Sequence, residues 1–153
     1  MKIGVISDTH GLLRSEVKSN LSDCDLIIHA GDIGKMEIIK DLNKIANCEY
    51  IKGNCDKSIE FNDVSEFKII EINKIKIYII HDIRNIDKDL KSIGINIVIY
   101  GHSHKKEFYK KDGILYINPG SVGPRRFKLP TTMNKIEIND ENIENIKLDY
   151  IEI

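Results

Sequence analysis

Apolar residues along this chain come in short runs, and several runs end in polar residues of a restricted kind. Ile3-Gly4-Val5-Ile6 opens into Ser7-Asp8-Thr9-His10, and Leu26-Ile27-Ile28 into His29-Ala30-Gly31-Asp32. Ile77-Tyr78-Ile79-Ile80 ends at His81, and Ile97-Val98-Ile99-Tyr100 at Gly101-His102-Ser103-His104. A short apolar run bounded by Gly and polar residues predicts a buried strand. On this pattern strands are expected over residues 2–7, 26–29, 49–52, 66–72, 75–81, 97–100, 106–111, 114–118, 133–138 and 143–153. Helices are expected over 15–21, with Ser15 as N-cap, over 35–45, where Met36, Ile38, Ile39 and Leu42 share a face, and over 87–93. Asn73-Lys74 and Asp112-Gly113 predict two-residue hairpins, and 56–64 reads as an irregular loop. The first half alternates strand and helix, while the second is mostly hairpins. Two sheets packed face to face with helices outside satisfy both halves, as a single α/β domain over 1–153.

Composition narrows the setting. The formal net charge of −1 provides no basic field for long nucleic acid. No apolar run reaches the length of a membrane span, and the chain enters directly on a strand pattern, so neither a membrane segment nor a signal peptide is expected. Cys24, Cys48 and Cys55 are odd in number and contain no Cys-x-x-Cys pair, which argues against disulfides and for a reducing, cytoplasmic location. The abundance of isoleucine reads mainly as coding bias, helped by its strand preference.

All five histidines fall in the four strand-end segments. Open α/β folds build their sites where strands emerge from a sheet, so the pattern points to a metal site and an enzyme. Asp8 and His10 are two apart, as are His102 and His104, a spacing that shares a face on extended backbone. Gly31 before Asp32 and Gly53 before Asn54 permit sharp exits from their strands. The pooled donors are carboxylate, imidazole and amide oxygen, a set that suits Mn, Fe or Zn better than Ca or a structural zinc clip. Asp8, His10, Asp32, Asn54, His81, His102 and His104 are too many for one first-row ion. Two ions sharing a carboxylate would use them all, and pairs about 3.5–4 Å apart suit phosphate-ester hydrolysis. His29, inside its strand, is expected to pack and hydrogen-bond. Cys24 and Cys48 are expected to be small buried apolar groups, and Asp56 to orient the Asn54 loop.

The succession Asp8-x-His10, Gly31-Asp32, Gly53-Asn54, His81, Gly101-His102-Ser103-His104 and Asn118-Pro119-Gly120-Ser121 resembles the calcineurin-like metallophosphoesterase superfamily. Within it the chain is similar to the small YfcE-type phosphodiesterases, from Met1 to about Ile138. The resemblance implies a four-layer αββα sandwich of two mixed β-sheets flanked by helices. It implies one divalent metal ion on Asp8, His10 and His104, another on Asn54, His81 and His102, and Asp32 bridging them. Manganese is the ion implied first, with Ni, Fe, Zn or Mg as alternatives. The implied reaction is hydrolysis of a small phosphodiester by a hydroxide between the ions, with Asp32, Asn54, Cys55 and His81 in catalysis. Asn54, Cys55, Ser121 and Arg125 are the implied substrate contacts. The alternatives are a phosphomonoesterase on the same site and a non-catalytic scaffold, as in the retromer subunit that resembles this family. A dimer or tetramer is implied as well, since relatives assemble.

Two positions depart from the family pattern. Cys55 stands where many members carry a histidine that steadies or protonates the leaving group, and a thiol is the poorer donor. Esters with good leaving groups, or water as the acid, are therefore expected. Asp82 stands where Gly usually follows the histidine, which brings negative charge near the expected phosphate position and a less permissive backbone. It could equally bond an imidazole. Arg126 joins Arg125 as a candidate phosphate partner, and Lys105, Lys106, Lys110 and Lys111 read as solvent-facing. Ser121 lies in no nucleophile-elbow pattern.

Overall fold

The two ends of the chain build one sheet and the segment between them builds a second. The computed structural model describes residues 1–153. In the first sheet β1 (Lys2–Ile6), β2 (Leu26–His29) and β3 (Asn47–Tyr50) run parallel, and β9 (Thr132–Glu137) and β10 (Lys147–Glu152) continue antiparallel on the other side of β1. The second sheet is built from β4 (Phe67–Ile72), β5 (Ile75–Ile80), β6 (Ile97–Ile99), β7 (Lys106–Lys111) and β8 (Ile114–Pro119), in the order β4-β5-β6-β8-β7. Here β5, β6 and β8 are parallel and the two edge strands antiparallel. Both predicted hairpins form. Asn73 and Lys74 (φ 49° and 66°), like Asp112 and Gly113 (φ 53° and 79°), take the left-handed backbone that a type I′ turn requires.

The sheets pack face to face over 15 buried side chains, all isoleucine except Val5, Leu26 and Ala30. A β-branched side chain fills a pleated surface at little cost in rotamer freedom, so the isoleucine excess has a structural role beyond coding bias. β1 and β2 are covered on both faces, which is why they read as unbroken apolar runs. On the outer face of the first sheet, α1 (Ser15–Leu21) and α2 (Glu37–Asn43) set Val17, Leu21, Ile38, Ile39 and Leu42 against Ile6, Ile27 and Met133.

The opposite outer face is covered differently. Tyr78, Ile80, Val98 and Tyr100 are capped by Leu90 and Ile95 from an irregular segment, and the helix expected over 87–93 does not form. A 3₁₀ turn, Ile83–Asn85, is fixed by the Asp82 side chain accepting from Arg84 N–H. Asp89 then captures Ser92, its side chain accepting from the backbone N–H and its carbonyl from the hydroxyl. Such local bonds compete with a helix, and Gly94 (φ +80°) closes the turn. Ser15 is not the N-cap of α1 either. Arg14 holds that position without a side-chain bond, and the Ser15 hydroxyl turns to Glu16. The third strand lies at Asn47–Tyr50, not 49–52, and Ile143–Asn145 form a 3₁₀ turn under Asn142, so the last strand starts at Lys147. Within the loop 56–64, a further 3₁₀ turn, Ile59–Phe61, buries Phe61.

Candidate metal centre

The parallel strands of both sheets deliver their C-terminal ends to one rim of the sandwich. Asp8 and His10 follow β1, Asp32 follows β2, His81 follows β5, and His102 and His104 follow β6. Five of these six sit in left-handed backbone: Asp8 (φ 58°), His10 (φ 46°), Asp32 (φ 56°), His102 (φ 73°) and His104 (φ 64°). Elsewhere only the hairpin residues Asn73, Lys74 and Asp112, and Phe127, do so without being glycine. Asp and His tolerate this region better than most residues, yet each instance carries a cost that the surroundings must hold in place. The two-apart pairs therefore reach the rim through left-handed turns, not through a shared extended face.

The turns bring two carboxylates into a ring of imidazoles. Asp8 Oδ1 lies 3.3 Å from His104 Nε2 and 3.7 Å from Nε2 of both His10 and His81. Asp32 Oδ2 lies 3.2 Å from His81 Nε2 and 3.6 Å from His10 Nε2. The other carboxylate oxygens are tied back. Asp8 Oδ2 accepts from Ser7 Oγ–H (2.7 Å) and His102 N–H (3.2 Å), and Asp32 Oδ1 from Cys55 N–H (2.9 Å). His81 Nδ1–H donates to the Ala30 carbonyl at 2.7 Å, which turns Nε2 toward the two aspartates. Asp8 is fully buried and Asp32 nearly so, yet Asp8 Oδ1, His10 Nε2, His81 Nε2 and His104 Nδ1 have no hydrogen-bond partner. Buried polar atoms are rarely left unpaired. Three of them, Asp8 Oδ1 and the Nε2 atoms of His10 and His81, face one another and fit a place for cations.

The charges of the cluster lean on each other. Burial works against ionisation of Asp8, but bonds from His10 and His104 outweigh it and hold the carboxyl below the usual range. Asp32 is lowered in the same way, by His81 against burial. Asp8 in turn raises His10, while for His81 burial is more than offset by Asp32 and Asp8.

Asn54 and His102 form a more open flank. His102 Nδ1 lies 3.2 Å from Asn54 Oδ1, and its ring is 5.3 Å from that of His81. Arg84 Nη2 reaches His102 Nε2 at 3.1 Å. Arginine only donates, so Nε2 accepts and Nδ1–H points to Asn54. Arg84 is the residue that sequence reasoning missed. It also makes a two-pronged pair with Asp82, its Nη2 at 2.7 Å from Oδ2, and so neutralises the charge expected to oppose a phosphate. Asp82 itself has φ −123°, ordinary extended backbone that does not call for glycine.

Other expectations divide. Asp56 ties the loops together as expected, accepting from Ile33 N–H, Gly34 N–H and Gly53 N–H at 2.8–3.0 Å. Gly53 serves close approach: a Cβ there would run into Asp32 Oδ1. Cys24 and Cys48 are buried and Cys55 is exposed, its thiol pKa raised by partial burial and by Asp32. Ser121 is buried, donating to the Asp8 carbonyl and accepting from Gly123 N–H, so its hydroxyl positions Asp8. Arg125 spends its Nε–H on the Leu129 carbonyl, and it is the Arg126 charge that acts on His10 and Cys55.

Over residues 1–141 the chain matches the calcineurin-like phosphoesterase superfamily domain. It belongs to that superfamily. It is 35% identical to a probable metallophosphoesterase of Methanocaldococcus jannaschii, over 92% of this chain and 78% of the relative. It is 34% identical to a phosphodiesterase of the same organism, over 86% of this chain and 90% of the relative. The solved structure of an archaeal phosphodiesterase superposes with a TM-score of 0.80 at 27% identity, covering 100% of both chains. Members of this phosphoesterase superfamily use divalent metals, and the donor set at the rim fits such ions. No helix is long and apolar enough to cross a membrane.

His29 stands apart from the ligand cluster. Thr9 donates its hydroxyl proton to the Ile33 carbonyl, so His29 Nε2–H donates to Thr9, and His29 Nδ1 accepts from Gly31 N–H. Complete burial pushes its pKa down to about 4. The unfolded chain, titrating near 6.5, then binds the extra proton, so this contribution to stability is complete above that pH and lost as pH falls toward 4. The loss at pH 5 should be about 2 kcal/mol. Urea unfolding at pH 7 and pH 5 of the wild type against His29→Gln measures it, since the raised His10 and His81 act in the opposite sense in both proteins, together with His29 imidazole resonances that stay fixed between pH 8 and 5. A His29 midpoint near 6.5 would contradict the assignment.

Proposed function

We propose that this chain is a metal-dependent phosphodiesterase acting on small phosphate esters, with two divalent ions at the rim. The observation that carries the reading is Asp32 Oδ2, which faces His10 on one side (3.6 Å) and His81 on the other (3.2 Å), as a shared carboxylate must. Asp8, His10 and His104 are the residues for one ion, and Asn54, His81 and His102 for the other. Such ions supply charge neutralisation at the phosphoryl oxygens and an activated water. The chain's own part is to hold the donors against their strained backbone, to aim His81 through Ala30, and to offer Arg84 and Arg126 to an anion. The curated relative named phosphodiesterase supports a diester over a monoester. A scaffold role has less support, because the full donor set is present and Asp8 Oδ1, His10 Nε2 and His81 Nε2 are left without hydrogen-bond partners.

The test is a panel assay on metal-stripped protein with aryl phosphodiesters, aryl monoesters and cyclic nucleotides, each with Mn, Ni, Zn or Mg added back. Diester hydrolysis that returns best with manganese is the expected result. Absence of turnover with every ion overturns the reading. Cys55 gives a second check. Cys55→His should speed hydrolysis of esters with poor leaving groups by about tenfold while changing good ones little, since imidazole is the better proton donor near neutrality. Equal changes across a series of graded leaving-group pKa would remove Cys55 from that role.

A further inference from the structure

Beside the open flank of the centre lies a cleft of about 440 Å³, a volume ordinary for a small-ligand site. Asn54, His81 and His102 are part of its lining, and so is Phe67, which stacks on the buried Tyr78 with ring centres 5.4 Å apart and planes 12° apart. Phe67 is one of the few large apolar side chains left exposed, at 37%. An apolar side chain in the same lining as a set of phosphate-binding candidates is what the organic part of an ester needs.

The charges around the cleft restrict what that part can be. Lys52 and Arg84 face Glu66, Asp82 and Asp87, and Arg84 is already paired with Asp82. With Lys88 paired to Asp87 as well, what remains is Lys52 and Glu66, one charge of each sign. No surplus positive charge is left there for a second phosphate or carboxylate, whereas an uncharged ring suits the apolar side chain of Phe67. Lys88 Nζ lies 4.4 Å from the Phe67 ring centre and pairs with Asp87 at 3.2 Å. Both contacts are exposed and weaker than the stacking of a ring, so an incoming ring can displace them.

We propose that this cleft is the subsite for the organic group of the ester, and that it takes a planar aromatic substituent, nucleoside or aryl, against Phe67. The proposal rests on the phosphoesterase reading of the adjoining centre, and its test separates the two. Calorimetric titration of manganese-loaded protein with adenosine 5′-monophosphate and with ribose 5-phosphate compares one phosphate with and without a ring. The ring-bearing ligand should bind about tenfold tighter, within the range that stacking of a single base provides. Phe67→Ala should abolish that tenfold difference and leave ribose 5-phosphate unchanged, and Phe67→Tyr should restore it. Arg84→Ala should weaken both ligands alike. Thermal melting of each variant shows that the fold is kept. Equal affinities in the wild type, no binding of either ligand, or a Phe67→Ala variant that keeps the preference would each overturn the subsite. The panel assay reports on hydrolysis independently, so active protein without ring preference removes the subsite and leaves the phosphoesterase reading in place.

Discussion

Asp32→Ala should lower kcat/KM for phosphodiester hydrolysis by about a thousandfold and remove most of the bound metal. The size follows from position. Asp32 is 97% buried, its Oδ1 is held by Cys55 N–H, and its Oδ2 is the atom that both His10 and His81 face. Deleting it leaves His10 and His81 with Asp8 as their only nearby carboxylate, and it removes the side chain proposed to be shared by the two ions. Asp32→Asn separates charge from shape, since an amide oxygen can still accept from Cys55 while the negative charge is gone. It should retain near wild-type melting and lose activity almost as far as the alanine variant. Metal content by elemental analysis and kcat/KM with manganese are the readouts. An Asp32→Asn enzyme with full manganese stimulation would contradict the shared-carboxylate assignment.

Asp56→Ala is expected to destabilise the protein by about 3–5 kcal/mol and to lower its melting temperature by roughly 10 °C. This aspartate is buried, and its two oxygens accept three backbone N–H groups from the Asp32 and Asn54 loops. Each stranded donor costs about 1–3 kcal/mol, and water entering the gap recovers part of that. Activity should fall with stability, because Asp56 clamps the loop after β2 to the loop after β3. Asp56→Asn keeps one acceptor oxygen and should lie between wild type and alanine. Differential scanning calorimetry measures the effect, and a melting shift under 2 °C would show that the clamp is not needed.

Particular elements explain what could be read early. β1 and β2 are visible because burial on both faces writes them as continuous apolar runs. The hairpin at Asp112-Gly113 is visible because few residue pairs accept two left-handed conformations in succession. His29 could be separated from the candidate ligand histidines because it lies inside its strand, while the others lie at or beyond strand ends. The segment 87–93 could not be read: its helical spacing is real, but Asp82 and Asp89 draw the backbone into turns through bonds of their own. Arg84 carried no signal either. In sequence it is an ordinary basic residue after Asp82, and only the 3₁₀ turn swings its guanidinium to His102. For Ser121 and Arg125 the sequence carries no sign of the bonds they make, one to the Asp8 backbone and the other within its own loop.

Apolar periodicity and donor type are local properties of the chain, so most strands, the candidate donors and the superfamily could be read from the amino-acid sequence. Only the tertiary structure decided which oxygen of each aspartate faces the imidazoles, how Arg84 offsets Asp82, and that an aromatic cleft adjoins the open flank. Those facts depend on how two sheets, joined through residues far apart in the chain, set their strand ends against one another. A shift of an ångström there separates an ion pair from an empty gap, and nothing local to the sequence fixes it.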